Sequence, residues 1–151
     1  LRHNKPEYRY RKFDVDGKLT EKWNYTLEAV LAEEEWDYVS LQQVSQSSGM
    51  PESYALLPEL VEFVKARVPE DAVLMFHQTW AYAPNSTHDQ FYRYDKDQMK
   101  MYDAIVATAK QEAPKVGIEL IIPAGTAIQN ARTSYLGNDL TRDGYHLSRP
   151  H

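Results

Sequence analysis

Apolar residues recur along this chain in two rhythms, one of period two and one of period three to four. Tyr8, Tyr10 and Lys12 alternate with Arg9, Arg11 and Phe13. Asp14-Val15-Asp16-Gly17 then supplies a turn, and residues 18–23 read as a second strand, so a hairpin is predicted. From Thr26, the apolar positions Leu27, Val30 and Leu31 share one helical face, closed by Glu33-Glu34-Glu35. Those glutamates oppose the helix dipole and are expected in solvent. Residues 37–43 read as a strand entering a polar loop at 44–49. Leu56, Leu57, Leu60, Val61, Val64 and Val68 predict an amphipathic helix, which Pro69 ends. Residues 72–76 are continuously apolar, the pattern of a strand covered on both faces. A polar, aromatic loop at 80–95 follows. A third helix is predicted over 95–113 with Met99, Tyr102, Ile105, Val106 and Ala109 inward. Residues 117–123 form another buried strand, and 126–132 a short helix.

Helix and strand alternate three times, which argues for an α/β fold with a parallel sheet and right-handed crossovers. No repeat, low-complexity tract or linker interrupts residues 1–151, so a single domain is expected. In such sheets the ligand crevice lies beyond the carboxyl ends of the strands. Here those ends carry Gln42-Gln43, then His77-Gln78-Thr79-Trp80, then Pro123-Ala124-Gly125. All three are unusually polar or aromatic.

Composition narrows the class. The chain has 151 residues, with 17 basic against 22 acidic side chains and a net charge of −5. It lacks the basic stripe with which nucleic-acid binders displace counterions, so no nucleic-acid partner is expected. Its longest apolar runs are far too short to cross a bilayer. With no cysteine, disulfides, thiolate catalysis and Cys-based zinc sites are excluded. Five histidines (His3, His77, His88, His146 and His151) show no His-x-x-x-His spacing, so no metal site is predicted. Asp14-Val15-Asp16-Gly17 places its glycine too early for a calcium loop and reads as a plain turn. No cofactor is called for. Asn24-Tyr25-Thr26 and Asn85-Ser86-Thr87 match the glycosylation sequon, which matters only in a glycosylating, secreting organism. No leader is readable, so the compartment, cytoplasm or export, stays open.

The most telling stretch is Arg142-Asp143-Gly144-Tyr145-His146-Leu147-Ser148. Asp143 and His146 stand three residues apart in one tight loop. A carboxylate so placed can accept the imidazole Nδ1–H, fix its tautomer and leave Nε2 free as a general base. The alternative is a structural Asp-Gly turn followed by an incidental histidine.

Asp143-Gly144-Tyr145-His146-Leu147-Ser148 resembles the final block of the SGNH, or GDSL-type, hydrolases, which carries catalytic Asp and His on one loop. Residues 37–43 resemble that family's third block, the strand leading to an oxyanion-hole amide. Residues 36–49, 77–82 and 142–148 together resemble a bacterial SGNH-like subfamily classed as a domain of unknown function. The resemblance runs from about Trp23 to His146. It implies a flavodoxin-like three-layer α/β/α sandwich and hydrolysis of an ester, often an acyl or acetyl group on a carbohydrate. Under it, His146 is the general base and Asp143 its orienting partner. The family's third-block amide is usually asparagine; here the candidates are Gln43, at the strand end, and Gln46, whose spacing from Asp37 matches better. Either amide can donate to a developing oxyanion. Gln42, Gln78, Trp80 and Tyr145 are candidate substrate contacts.

The family's Gly-x-Ser nucleophile block and the glycine of its second block are missing from these residues. Ser45 and Ser47 lie near the predicted crevice, yet no serine follows a strand in the required context. The resemblance therefore implies a serine-bearing first strand upstream of Leu1 and a last helix after His151. Without that central strand the sheet would carry open edges and be aggregation-prone. The leading expectation is a serine esterase of SGNH type. The alternative is a non-catalytic carbohydrate-binding protein on the same fold, for which eleven tyrosines and three tryptophans supply sugar-stacking faces.

Overall fold

The computed structural model describes residues 4–148. The chain divides into two compact units, one formed by residues up to Val39 with Leu57–Val73, the other by Ser40–Leu56 with the residues from Leu74 onward.

The first unit contains β1 (Tyr8–Phe13) and β2 (Leu19–Tyr25), paired antiparallel with Arg11 opposite Glu21 and Phe13 opposite Leu19. Asp14 builds the turn with its own side chain, Oδ1 accepting the N–H groups of Asp16 (3.2 Å) and Lys18 (2.8 Å). Gly17 takes a φ of +76°, where a side chain would be strained. Helix α1 (Leu27–Leu31) is capped by Thr26, whose hydroxyl accepts the Ala29 N–H at 3.1 Å. Helix α2 (Leu57–Lys65) buries Leu57, Val61 and Val64, as its spacing predicts. One expectation is corrected. Glu34 and Glu35 are exposed as expected, Glu34 pairing with Lys12, but Glu33 is half-buried and accepts from Lys22 at 2.7 Å and from the Tyr25 hydroxyl at 2.6 Å. Hydrogen bonds from Lys22 and Tyr25 hold the Glu33 carboxyl below its usual range. The hairpin's lysines reach the residues after α1, and local attraction outweighs the dipole argument.

The second unit is built on the carboxyl ends of a three-stranded parallel sheet. Its order is β3 (Tyr38–Leu41), β4 (Val73–His77), β5 (Leu120–Ile122). Strands β4 and β5 pair with Phe76 beside Ile121 and His77 beside Ile122. Two-sided cover holds at Phe76, which is 2% exposed, but not at Val73 (40%) or Leu120 (47%). Short 3₁₀ turns at Ser45–Ser47 and Asp89–Tyr94 replace parts of the predicted loops, and a third, Pro51–Tyr54, precedes α2. Helix α3 (Gln98–Lys115) starts later than predicted, because Asp97 caps it by accepting from Met99 and Lys100 at 2.8 and 3.0 Å. Met99 is consequently turned outward at 48% exposure, and Met101, Ile105, Ala109 and Ala113 face inward. Met101 and Ile105 join Ala81, Tyr82, Phe91 and Tyr94 in the core. Among the described residues no helix is long and apolar enough to cross a membrane.

Helix α4 (Ala124–Arg132) begins immediately after β5 and packs against the chain leaving β4. The Gly125 N–H donates to the Gln78 carbonyl at 3.0 Å, and a Cβ on Gly125 would lie 2.0 Å from the Thr79 carbonyl oxygen. Only glycine permits this approach. Gly125→Ala should destabilise the fold by about 3 kcal/mol, the upper range for overpacking against backbone. Urea denaturation of the two proteins measures it; a loss under about 0.5 kcal/mol would mean that the helix is not seated so closely.

Candidate functional site

The loop bearing Asp143 and His146 is a miniature hairpin. Ser148 N–H donates to the Leu140 carbonyl at 3.0 Å and Arg142 N–H to the His146 carbonyl at 2.9 Å. At its tip Gly144 adopts a φ of +88°, and a Cβ there would come within 2.8 Å of Ser86 Cα. Asp139 braces the hairpin's base, its Oδ1 accepting the Thr141 N–H and hydroxyl at 2.9 and 2.5 Å.

Within this frame Asp143 Oδ2 lies 2.7 Å from His146 Nδ1, while Oδ1 accepts the N–H groups of His146 (2.7 Å) and Tyr145 (3.2 Å). Desolvation pushes the carboxyl upward. The imidazole hydrogen bond, the two backbone donors and the nearby imidazole charge together outweigh it and bring the carboxyl down to about 2. It is thus a carboxylate at neutral pH and favours the Nδ1–H tautomer, with the proton on the nitrogen facing it. Nε2 then carries a free lone pair. No described residue hydrogen-bonds Nε2, and the side chain is 52% exposed.

The hairpin is anchored to the chain that leaves β4. Trp80 Nε1–H donates to the Tyr145 carbonyl at 2.8 Å, and Ala83 N–H to the Gly144 carbonyl at 2.8 Å. The Tyr145 ring sits against His146 at 4.2 Å, against His88 at 4.9 Å and against the buried Tyr82 at 5.8 Å. Tyr82 in turn shares a 3.0 Å hydrogen bond with the Ser45 hydroxyl. This chain of contacts brings the 44–49 loop and the Asp143–His146 hairpin together at the sheet's carboxyl ends.

The candidate glutamines part company. Gln43 spends its amide internally, donating to Ser53 O and Oγ at 2.9 and 3.1 Å and accepting the Val44 N–H at 2.8 Å. Gln46 has a half-buried side chain with no hydrogen-bond partner among the described residues; its backbone carbonyl accepts the Tyr94 hydroxyl at 3.1 Å. Gln42 is exposed and likewise unbonded. Gln78 is buried at 4% exposure, its Oε1 accepting the Thr126 N–H and hydroxyl at 3.3 and 3.1 Å. Trp80 is half-buried, its indole N–H committed to the hairpin. No serine hydroxyl among the described residues bonds to His146.

Sequence reasoning passed over three residues that shape this region. Tyr94 accepts the Gly49 N–H at 3.1 Å while donating to Gln46. Arg132, 4% exposed, donates to the Ala81 carbonyl at 2.8 Å and to Gln129 at 3.1 Å. Burial pushes its guanidinium pKa down, with the charge of Asp139 opposing that shift. His88 was weighed only as a metal ligand. Its place after Ser86-Thr87 and before Asp89-Gln90 was the available signal of a helix-capping role. Among the described residues no three metal-capable side chains cluster, and His3 and His151 lie outside them. A separate cavity of about 490 Å³ in the first unit is lined by Glu35, Trp36, Asp37, Tyr38, Asp71 and neighbours and includes none of the candidate residues.

Residues 1–150 match a family model described as Domain of unknown function (DUF4886). The crystal structure of a DUF4886 family protein from Bacteroides uniformis is similar over 97% of this chain and 57% of that one, with 54% identity and a TM-score of 0.94. A protein from Slackia heliotrinireducens described as "a putative SGNH hydrolase" is 22% identical over 80% of this chain and 62% of its own, with a TM-score of 0.53. That distant likeness concerns the fold alone. The chain spans less than two thirds of either structure's length. No curated protein matches it.

The Asp143 geometry carries a pH prediction. Its folded carboxyl titrates below the unfolded reference of about 3.9, so its contribution to holding the hairpin is complete above about pH 4 and is lost as pH falls through about 2. Carboxyl-carbon NMR of Asp143 should give a midpoint near 2. A midpoint close to 4 would mean that the bonds to His146 and Tyr145 are not maintained in solution.

Proposed function

We propose that this chain, which belongs to the DUF4886 family, carries the general base of a serine esterase of the SGNH type. The observation that carries the reading is the 2.7 Å contact between Asp143 and His146 Nδ1, which leaves Nε2 unspent in an exposed loop at the sheet's carboxyl ends. In this reading residues 1–151 belong to one three-layer α/β/α domain whose nucleophilic serine lies upstream of Leu1. The greater length of the 54% identical relative leaves room for such a block.

The serine hydroxyl attacks the ester carbonyl as His146 Nε2 takes its proton, and Asp143 stabilises the imidazolium that forms. Charge gathers on the carbonyl oxygen of the tetrahedral intermediate. Of the two glutamines Gln46 is the better donor to it, because the Gln43 amide is committed to Ser53 and Val44. Collapse expels the alcohol, which takes the proton from His146, and water then releases the acyl group by the same steps in reverse order of partners. Tyr145, whose ring lies against His146, and Gln42, exposed just after β3, are the candidate substrate contacts. Trp80 acts on the site chiefly by holding the Tyr145 carbonyl, and Gln78 by seating α4. An acyl or acetyl ester of a carbohydrate is the proposed substrate class, with the half-buried Tyr145 ring offering a sugar-stacking face.

Labelling of the full-length protein with a fluorophosphonate probe, followed by mass mapping, tests this. The expected result is a modified serine upstream of Leu1. His146→Ala should abolish labelling and lower ester hydrolysis by about three orders of magnitude or more. Well-folded protein that is not labelled would transfer the assignment to a carbohydrate-binding protein on the same fold.

A further inference from the structure

Two imidazoles touch the Tyr145 ring: His146 at 4.2 Å, and His88 edge-on at 4.9 Å with 84° between planes. His88 also lies against the buried Tyr82 ring at 4.7 Å. It caps the 3₁₀ turn Asp89–Tyr94, its Nδ1 accepting the Gln90 N–H at 3.1 Å. A backbone N–H can only donate, so Nδ1 is the acceptor and the neutral ring holds its proton on Nε2. Asp89 Oδ1 stands 3.3 Å from the same nitrogen, but that side chain is 83% exposed, and the fixed backbone donor decides the tautomer. The His88 side chain is only 18% exposed, yet no described residue accepts from Nε2, and that atom is not among the sealed, unpartnered ones. A preset N–H donor therefore stands open one aromatic ring away from the proposed base.

We infer that His88 is a substrate-binding residue, donating its Nε2–H to an oxygen on the alcohol portion of the ester; this rests on the esterase reading above. His146 must face the nucleophile and the leaving oxygen. A donor beyond Tyr145 meets a part of the substrate that does not react. A neutral N–H there suits a hydroxyl or ring oxygen rather than a charged group, and the intervening Tyr145 ring suits the C–H face of a sugar. The class of substrate this favours is an acylated polyhydroxy compound over a simple alkyl or aryl ester.

His88→Asn separates binding from capping. Asparagine is among the best N-caps, and its Oδ1 can take the Gln90 N–H, but nothing replaces Nε2–H. In the full-length protein, kcat/KM is compared for a monoacetylated sugar and for p-nitrophenyl acetate. The expected result is a loss on the sugar ester about tenfold greater than on the aryl ester, mainly through KM. His88→Asp, a second capping residue lacking the donor, should show the same discrimination. Equal losses on both esters, or no loss, would overturn the inference and leave His88 a cap, whatever the change in Tm. Hydrolysis that survives His146→Ala would sink the esterase reading and this inference together. Hydrolysis that requires His146, with undiscriminating His88 variants, would overturn this inference alone.

Discussion

The chain leaving β4 runs buried and without repeating structure through residues 78–83, and every polar group of its backbone needs a partner. Ala81, Tyr82 and Ala83 are each at most 1% exposed. Their partners come from widely separated stretches of sequence. Gln78 donates to Ile122 and accepts from Gly125, at 3.0 Å each. The Ala81 carbonyl takes Arg132, and the Tyr82 carbonyl takes Gln98 at 2.9 Å. Ala83 N–H reaches the tip of the Asp143–His146 hairpin. Leaving any one of these groups unpaired would cost about 1–3 kcal/mol. The segment thereby fixes β5, α3, α4 and the hairpin against one another, and the exposed Asp143–His146 pair inherits its position from a buried stretch of backbone.

The same economy explains the tyrosines. Tyr82 and Tyr94 have their hydroxyl pKa values raised, by burial first of all, so both stay neutral and can donate and accept at once. Tyr94 does both, accepting from Gly49 and donating to the Gln46 carbonyl. Gly49 has no room for a side chain, since a Cβ would lie 2.8 Å from Ala104 Cβ. The turn that presents Gln46 is therefore set by two buried phenols and a tight packing contact, while the Gln46 amide itself remains free.

The sequence made the alternation of helices and strands legible because periodic burial leaves a periodic trace. α2 shows it clearly, with Leu57, Val61 and Val64 buried as spaced. The Asp-Gly turn was equally plain, because few residues tolerate the backbone of Gly144. What stayed hidden depended on contacts distant in sequence. Met99 and Met101 are equivalent by hydropathy, and only the Asp97 cap decides which one faces inward. Gln43 ends the strand and Gln46 fits the spacing better, but only the contacts with Ser53 and Val44 show that the Gln43 amide is already committed. Gln78 at a strand end read as a ligand contact, yet its Oε1 seats the first turn of α4. Arg132, a cation, carried no pattern of burial because its partners are neutral oxygens brought in by the fold.

Exposure of His146 does not weaken the case for Asp143, because what the carboxylate supplies here is direction more than charge. In solvent an ion pair of this kind is screened and worth little as attraction. The geometry works differently. One carboxylate oxygen is fixed by two N–H groups of the hairpin's own backbone, so the other is presented to Nδ1 at little further entropic cost. An amide at residue 143 could keep its oxygen on those two donors, but it would turn an NH₂ toward the imidazole. The ring would then carry its proton on Nε2 and lose the lone pair a base requires. The three-residue spacing from Asp143 to His146 thus specifies both a turn and a tautomer, and the one cannot be altered without the other.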